Sequence, residues 1–355
     1  MADLITVLKS AVTQGASDIH ICVGKPAMMR LSGVIQPITP TDPPMSAEET
    51  KKMIYSALYD DQRAKFEKDW ELDCSFAIKG ISRFRLNVLI ARNGVEAVMR
   101  VIPSIIPTAE QLALSSTITS LSDTPKGLIL VTGPTGSGKT TTLACLLDMV
   151  NQKRQGHILT IEDPIEFTYD GKSCIVRQRE IGQHTKSFGT ALRGALREDP
   201  NVILVGEMRD LETIQLTITA AETGHLTFAT LHTQDAPSTI DRIIDVFPPH
   251  QQMQVRVQLA SSLKAVVSQI LLPRKDGKGR VAVREIMIMT PAISNLIREG
   301  KTHMIYSAIE TGMKFGMISM DKSLSNLVKQ NFITVEVALA KAHNPEMLKK
   351  LIGMA

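Results

Sequence analysis

Residues 133 to 140 read GPTGSGKT, a complete match to G-x-x-x-x-G-K-[ST], with the apolar run GLILVT before it and the helix-like TTLACLLDMV after it. Glycines at 133, 136 and 138 let the backbone wrap a phosphate with successive N–H groups pointing inward, and the following helix N-terminus adds partial positive charge. Lys139 supplies a point charge for β- and γ-phosphates and Thr140 a hydroxyl for Mg2+. A plain strand-to-helix turn needs neither. The motif therefore predicts a nucleoside triphosphate held by Gly133, Pro134, Thr135, Gly136, Ser137, Gly138, Lys139, Thr140 and Thr141. Hydrolysis asks for more: a group that places the attacking water, and positive charge to offset what develops as the bond breaks.

Three stretches offer such groups. TIEDPIEF, 160 to 167, sets Glu162, Asp163 and Glu166 directly behind the apolar HILTI. Asp163, Pro164 and Glu166 would fit N-cap, N1 and N3 of a helix. The FTYDGKSCIVRQRE that follows is instead rich in β-branched and aromatic residues and holds Asp170-Gly171, a hairpin-turn signal. An acid-dense turn at the end of a buried strand suits catalysis better than capping, and the residues alone leave Glu162 and Glu166 both open. NVILVGE, 201 to 207, is a buried-strand pattern ending in an acid; Gly206 stands where many NTPases carry Asp, and Glu207, one later, is expected to reach the metal through water. AAETGHLTFATLH, 220 to 232, places Glu222, His225 and His232 around another strand, with His232 at the end expected to face the phosphates.

These groups need a scaffold, and the hydropathy pattern supplies one. GLILVT, HILTI, NVILVG, LTFATLH and VAVREIMIM read as strands buried on both faces of a mostly parallel sheet, with helical stretches such as FGTALRGALRED and LETIQLTITAAET between them. After Thr290 the chain turns helical, in ISNLIREG, HMIYSAIETG, DKSLSNLVKQ and VEVALAKA. Before the linker-like PSIIPTAEQL lies a small α+β domain. It comprises a helix near the N-terminus, short strands from Ile19 to Ile38, one helix from SAEETKKMIYSALYDDQRAKFEKD capped by Ser46 and Glu49, and a hairpin between Leu72 and Val101.

A chain of 355 residues exceeds the roughly 250 to 300 at which single cores stop growing. The expected boundaries are 1–104 for the N-terminal domain, 105–120 for the linker, 121–290 for the ATPase domain and 291–355 for a helical C-terminal region. With 43% hydrophobic and 21% charged residues the composition is that of an ordinary globular protein. A net charge of +4 without a Lys/Arg run, and 4% aromatic residues, argue against nucleic acid as partner. The four cysteines form no C-x-x-C pair, which argues against zinc and disulfides and for a reduced, cytoplasmic setting. No apolar run has the roughly 18 residues of a membrane span.

GPTGSGKTTT, TIEDPIEF, LREDPNVILVGEMRDLET and AETGHLTFATLHTQDA, in this order, resemble the Walker A, Asp box, Walker B and His box of the secretion ATPase superfamily, and match best its PilT branch, the type IV pilus retraction ATPases. ASDIHICVGKP, SRFRLNVLIARNG and LLPRKDGKGRVAVREIMIMTPAISNLIREGK extend the likeness to nearly the whole chain. The resemblance implies an N-terminal PAS-like domain, a RecA-like α/β ATPase domain and C-terminal helices. It implies a homohexamer, cytoplasmic beneath an inner-membrane platform protein, turning hydrolysis of Mg·ATP into pilin depolymerisation and twitching motility. Carried over residue by residue, it makes Glu166 the catalytic glutamate, Glu207 the Walker B acid and His232 the second His-box histidine, and it matches Arg83, Arg85 and Arg100 to arginines that approach the phosphates.

One position departs from the pattern. The retraction motif A-I-R-N-L-I-R-E reads AISNLIRE here, with Ser294 in place of arginine, which keeps an accessory PilU-like paralogue in view, either as this chain's identity or as its partner. A pilus-assembly or type II secretion ATPase is disfavoured by the short N-domain and the unpaired cysteines, a RecA-like nucleic-acid motor by charge and aromatic content, and a silent scaffold subunit by the intact loop and acids.

Overall fold

The computed structural model describes residues 3–31, 33–102 and 105–354; the expected boundaries at Met1, Ser104 and Ala355 lie outside the described residues. The chain divides into two compact units that meet between Ile105 and Ile106.

The first unit carries α1 (Leu4–Thr13), β1 (Asp18–Ile21), β2 (Met28–Leu31), β3 (Val34–Pro37), α2 (Ala47–Tyr55), α3 (Asp60–Asp69), β4 (Glu71–Ile78), β5 (Ser82–Ala91) and β6 (Gly94–Ile102). Its six strands form one antiparallel sheet, ordered β3-β2-β1-β6-β5-β4. Alternation sorts the faces: Phe84, Leu86 and Val88 of β5 are buried in the core with Leu8 and Ile54, while Arg83, Arg85 and Asn87 occupy the opposite face. Two expectations are corrected here. The single helix from Ser46 breaks into α2 and α3, because Arg63 folds back to donate from Nε and Nη2 to the Tyr55 carbonyl at 3.1 and 2.8 Å and so satisfies the end of α2. The hairpin is a three-stranded meander, since β4 pairs with β5 and β5 with β6.

The second unit contains α4 (Ser116–Thr119), β7 (Gly127–Thr132), α5 (Lys139–Lys153), β8 (His157–Glu162), β9 (Ile175–Glu180), α6 (Phe188–Ala195), β10 (Val202–Val205), α7 (Leu211–Glu222), β11 (Leu226–Leu231), α8 (Ala236–Asp245), α9 (Pro249–Ser262), β12 (Leu263–Pro273), β13 (Arg280–Ile288), α10 (Pro291–Arg298), α11 (Ile305–Thr311), α12 (Met320–Lys329), α13 (Val335–Leu339) and α14 (Pro345–Ile352). The sheet order is β13-β12-β7-β11-β10-β8-β9, parallel except for the antiparallel edge strand β13. Strands β7, β8, β10 and β11 are buried along their whole length, as unbroken apolar runs require when both faces are covered. Leu128 and Leu130 of β7 pack toward the side of α6 to α11, and Ile129 and Val131 toward α5. A smaller cluster around Leu324, Ile333 and Leu348 joins the last helices to Leu272 of β12 and Val283 of β13. Ser294, on α10, is buried, and its hydroxyl donates to the Ala260 carbonyl at 3.1 Å.

The hairpin expected around Asp170-Gly171 is absent, because β9 pairs in parallel with β8. Asn151 on α5 shapes the intervening loop instead: its Nδ2 donates to the Asp170 carbonyl at 2.7 Å, and its Oδ1 accepts from the Lys172 amide at 3.0 Å. Asn151 is fully buried, and the Asn151→Ala variant removes both of these part-buried hydrogen bonds to the exposed residues Asp170 and Lys172. We expect it to lose about 2 kcal/mol of stability, with proteolytic cleavage moving to residues 168–173; urea unfolding and limited proteolysis measure both.

Candidate functional site

The carboxyl ends of the parallel strands, where open α/β sheets bind ligands, bring four segments together. The loop after β7 runs through Gly133, with φ 138°, Gly136, with φ 76°, and Gly138, with φ 84°, into the N-terminus of α5. A β-carbon at Gly133 would stand 2.1 Å from the Gln269 carbonyl oxygen, so residue 133 must be glycine for the loop to lie against β12. Ser137 Oγ is buried and has no hydrogen-bond partner among the described residues, an orphan polar atom of the kind an anion would satisfy. Pro134, Thr135 and Gly136 are exposed, and Thr140 and Thr141 stand half-buried in the first turn of α5. Lys139 Nζ donates to the Gly133 and Pro134 carbonyls at 2.8 and 3.1 Å. Burial lowers its pKa, and Glu207 and Glu166 oppose that shift, which puts both carboxylates within electrostatic reach of the ammonium. A glycine loop opening a helix, a buried lysine, an unpaired buried hydroxyl and two half-buried threonines fit a phosphate chain.

Strand β10 ends at Val205, and Gly206 lets the chain pass close to β8: a β-carbon there would meet Glu162 Cα and the Ile161 carbonyl at 3.2 Å. Glu207 follows. Its Oε2 accepts from Arg209 Nη2 at 2.8 Å, and its Oε1 lies 3.2 Å from His232 Nε2. A carboxylate can only accept, so Nε2 carries a proton toward Glu207, and Nδ1 lies 3.5 Å from Thr135 Oγ1. Burial alone would raise the Glu207 pKa; the hydrogen bonds and charges of Arg209 and His232 outweigh it and hold the carboxylate below its ordinary range. His232 thus bridges the phosphate loop to the acid at the end of β10. Arg209, two residues past Glu207, was not singled out from the sequence; the i, i+2 spacing of GEMRD is the signal that carried it.

The acids of TIEDPIEF have been given different environments. Glu162, the last residue of β8, is 4% exposed; Thr160 Oγ1 donates to it at 2.6 Å and Gln178 Nε2 at 3.2 Å. Burial pushes its pKa up to about 7 despite those donors. The turn beyond is pinned from β9, where Glu180 Oε2 accepts from the Ile165 amide at 3.1 Å and Gln178 Nε2 donates to the Phe167 carbonyl at 2.8 Å. Ile165 and Phe167 are buried, which leaves Glu166 between them exposed. His225 lies at the opposite end of β11 with Nδ1 2.9 Å from the Ala220 carbonyl, away from this group.

In the first unit, Arg85 and Arg100 are register partners on β5 and β6, and Arg100 Nε donates to Asp18 Oδ1 at 3.0 Å. Arg83 Nη2 donates to Ser75 Oγ at 2.6 Å. Arg85 and Arg100 line a cavity of about 230 Å³ with Asp18, Asp73, Asn87 and Val98.

A model of the family described as Type II/IV secretion system protein matches residues 2–336. The chain belongs to this family. Among its curated members, the type IV pilus retractation ATPase PilT of Pseudomonas aeruginosa is 51% identical over 97% of this chain and 99% of its own length. A twitching motility protein of Neisseria gonorrhoeae is 47% identical over 97% and 92%. The crystal structure of the pilus retraction motor PilT with bound ADP superposes with a TM-score of 0.93 at 45% identity, covering 99% of this chain and all of that one. The secretion-ATPase fold class read from the four boxes therefore holds for the chain, and the relatives span it nearly end to end. Among the described residues, no helix is long and apolar enough to cross a membrane.

Glu162 sets a pH dependence. Its carboxyl ionises near 4.5 when unfolded and near 7 when folded, so between those values the folded chain holds the extra proton, and stability falls as pH rises through that window. Glu285, fully buried and likewise raised to about 7 by burial, acts in the same direction. Urea unfolding of the nucleotide-free Glu162→Gln protein is expected to show a shallower loss between pH 5 and 7, and at pH 8 higher stability than the parent, by on the order of a few kcal/mol. An unchanged slope would mean that Glu162 is ionised across the range.

Proposed function

We propose that this chain is the ATP-hydrolysing subunit of a homohexameric motor that powers retraction of type IV pili, working in the cytoplasm against the inner-membrane platform of the pilus machine. The observation that carries the reading is the grouping of Glu207 and Glu166 around Lys139, two acids each within electrostatic reach of one cation beside a glycine loop. The full-length likeness to the PilT relatives supports the retraction assignment.

Gly133 to Thr141 hold the phosphates through backbone amides, with Lys139 leaving the loop carbonyls for the β- and γ-oxygens. Mg2+, when bound, neutralises charge developing on the phosphates. Among the described residues no three His, Cys, Asp or Glu side chains gather into a metal cage, so the donors the chain offers are the Thr140 hydroxyl and Glu207. Both Glu207 oxygens are already engaged by Arg209 and His232, which favours contact with the ion through water.

Glu166, exposed between two buried anchors, orients the attacking water and takes its proton; Glu162, shielded and proton-retaining, serves the turn rather than the reaction. His232, bonded to Glu207 and facing Thr135, reports the state of the loop to the end of β10. The arginine-rich face of the first unit, Arg83, Arg85 and Arg100, supplies groups suited to phosphate oxyanions.

Two tests bear on this reading. Purified Glu166→Gln should bind ATP normally and lose turnover by about 10² or more, the scale of removing a positioned general base; near-normal turnover removes Glu166 from the role. Cells lacking the gene should become hyperpiliated and lose twitching, and unchanged piliation would overturn retraction.

A further inference from the structure

The seat of the phosphate loop is made by a strand that contributes none of the loop's residues. Gln269 of β12 is 2% exposed, and its side-chain amide is engaged at both ends. Nε2 donates to the Ser137 carbonyl at 2.6 Å, while Oε1 accepts from Thr142 Oγ1 at 2.9 Å and from Arg284 Nε at 2.7 Å. Arg284 lies opposite Gln269 in the register of β12 and β13. Its remaining nitrogens reach away from the loop: Nη1 donates to the Ala113 carbonyl at 3.2 Å and Nη2 to the Leu112 carbonyl at 3.0 Å.

Those two carbonyls belong to the segment that opens the second unit, beginning at Ile106 directly after the first unit ends. Ala113 has φ 47°, in the left-handed region that non-glycine residues seldom adopt. The turn is closed by the Ala113 amide on the Glu110 carbonyl at 3.0 Å and the Leu114 amide on the Ala109 carbonyl at 2.9 Å. Arg284 is 8% exposed and, among the described residues, pairs with no carboxylate. Burial lowers its pKa to about 10, so it stays charged at neutral pH. A buried guanidinium that loses one of its oxygen partners is a desolvated charged donor left unpaired, a costly state. The Leu112 and Ala113 carbonyls and the Gln269 amide are therefore constrained to move as one body, and Gln269 passes that constraint to Ser137.

We propose that Arg284 and Gln269 are positioning residues that couple the phosphate loop to the segment arriving from the first unit, so that nucleotide at the loop restrains residues 109–114 and displacement of that segment weakens nucleotide binding. Linkage makes the two effects reciprocal. The proposal rests on the reading of the loop as a nucleotide site.

The test is hydrogen–deuterium exchange over residues 109–114 of the full chain, with and without ADP, alongside ADP titrations of the same samples. In the parent protein ADP should slow exchange in this segment. Arg284→Met should bind ADP about tenfold more weakly, the scale of one lost buried hydrogen bond, and ADP should no longer slow exchange there. Arg284→Lys keeps a buried cation but lacks the fork that spans three acceptors; it too should lose the ADP-dependent protection, and it carries the comparison if the methionine variant does not fold. Gln269→Leu should repeat the loss, and the Arg284→Met/Gln269→Leu double variant should be no weaker than the worse single variant, because both act through one chain of bonds. ADP-dependent protection equal to the parent's in both Arg284 variants, or an additive loss of about a hundredfold in the double variant, overturns the coupling. Lys139→Ala separates the two readings: if it binds ADP as the parent does, the nucleotide site itself is misassigned. If it loses ADP while parental residues 109–114 are indifferent to ADP, the coupling alone fails.

Discussion

The phosphate loop rests on β12 with no space for a side chain at its first residue. That contact sets the conditions for everything around it. The Gln269 carbonyl would lie 2.1 Å from any β-carbon at residue 133, and the Gln269 side-chain nitrogen 2.9 Å from one at residue 138. Two of the glycines that look like concessions to a ligand are thus also demanded by a neighbouring strand. Because β7 lies between β12 and β11 in the sheet, the same placement fixes where α5 begins and hence where the Lys139 and Thr140 side chains start. The loop is rigid from behind, and the groups in front of it can be aimed.

What is aimed is sorted by solvent. Glu162, Glu166 and Glu207 are the same side chain within one neighbourhood, yet they face three different surroundings. Glu162 has been taken out of water and keeps its proton toward neutrality, Glu207 is partly buried but held ionised by Arg209 and His232, and Glu166 remains in water between two buried anchors. Residues of the neighbouring strand β9 enforce the difference, since Gln178 and Glu180 bind the backbone of the turn and Gln178 also donates to Glu162. Among these like residues, the packing of the backbone decides which one is left exposed.

Legibility in the sequence followed the kind of interaction involved. The loop, the four strands buried along their length and the acids at their ends were readable because each depends on a local pattern: a motif, an unbroken apolar run, or a residue directly following one. Strand β12 was not read, because AVVSQILL continues from α9 with no Gly or Pro between them. The parallel pairing of β9 was hidden by Asp170-Gly171, whose turn signal is overruled by Asn151, 19 residues earlier. The break at Ser56 to Tyr59 depends on Arg63 reaching back to Tyr55, a bond that helical periodicity does not express. Choosing Glu166 over Glu162 required the family resemblance; the burial that separates them comes from packing of distant segments.

One edge of the larger sheet carries a further consequence. Strand β9 ends the sheet with the sequence IVRQRE, in which Arg177 is exposed, Arg179 pairs with Glu198 at 3.0 Å and Glu180 turns inward to hold a loop. Charged side chains spaced along an outer strand discourage another chain from zippering onto its free backbone groups. Ile175, 64% exposed at the start of that strand, would otherwise be an invitation to do so. An outer strand patterned in this way is directed away from fibre-like stacking along this border.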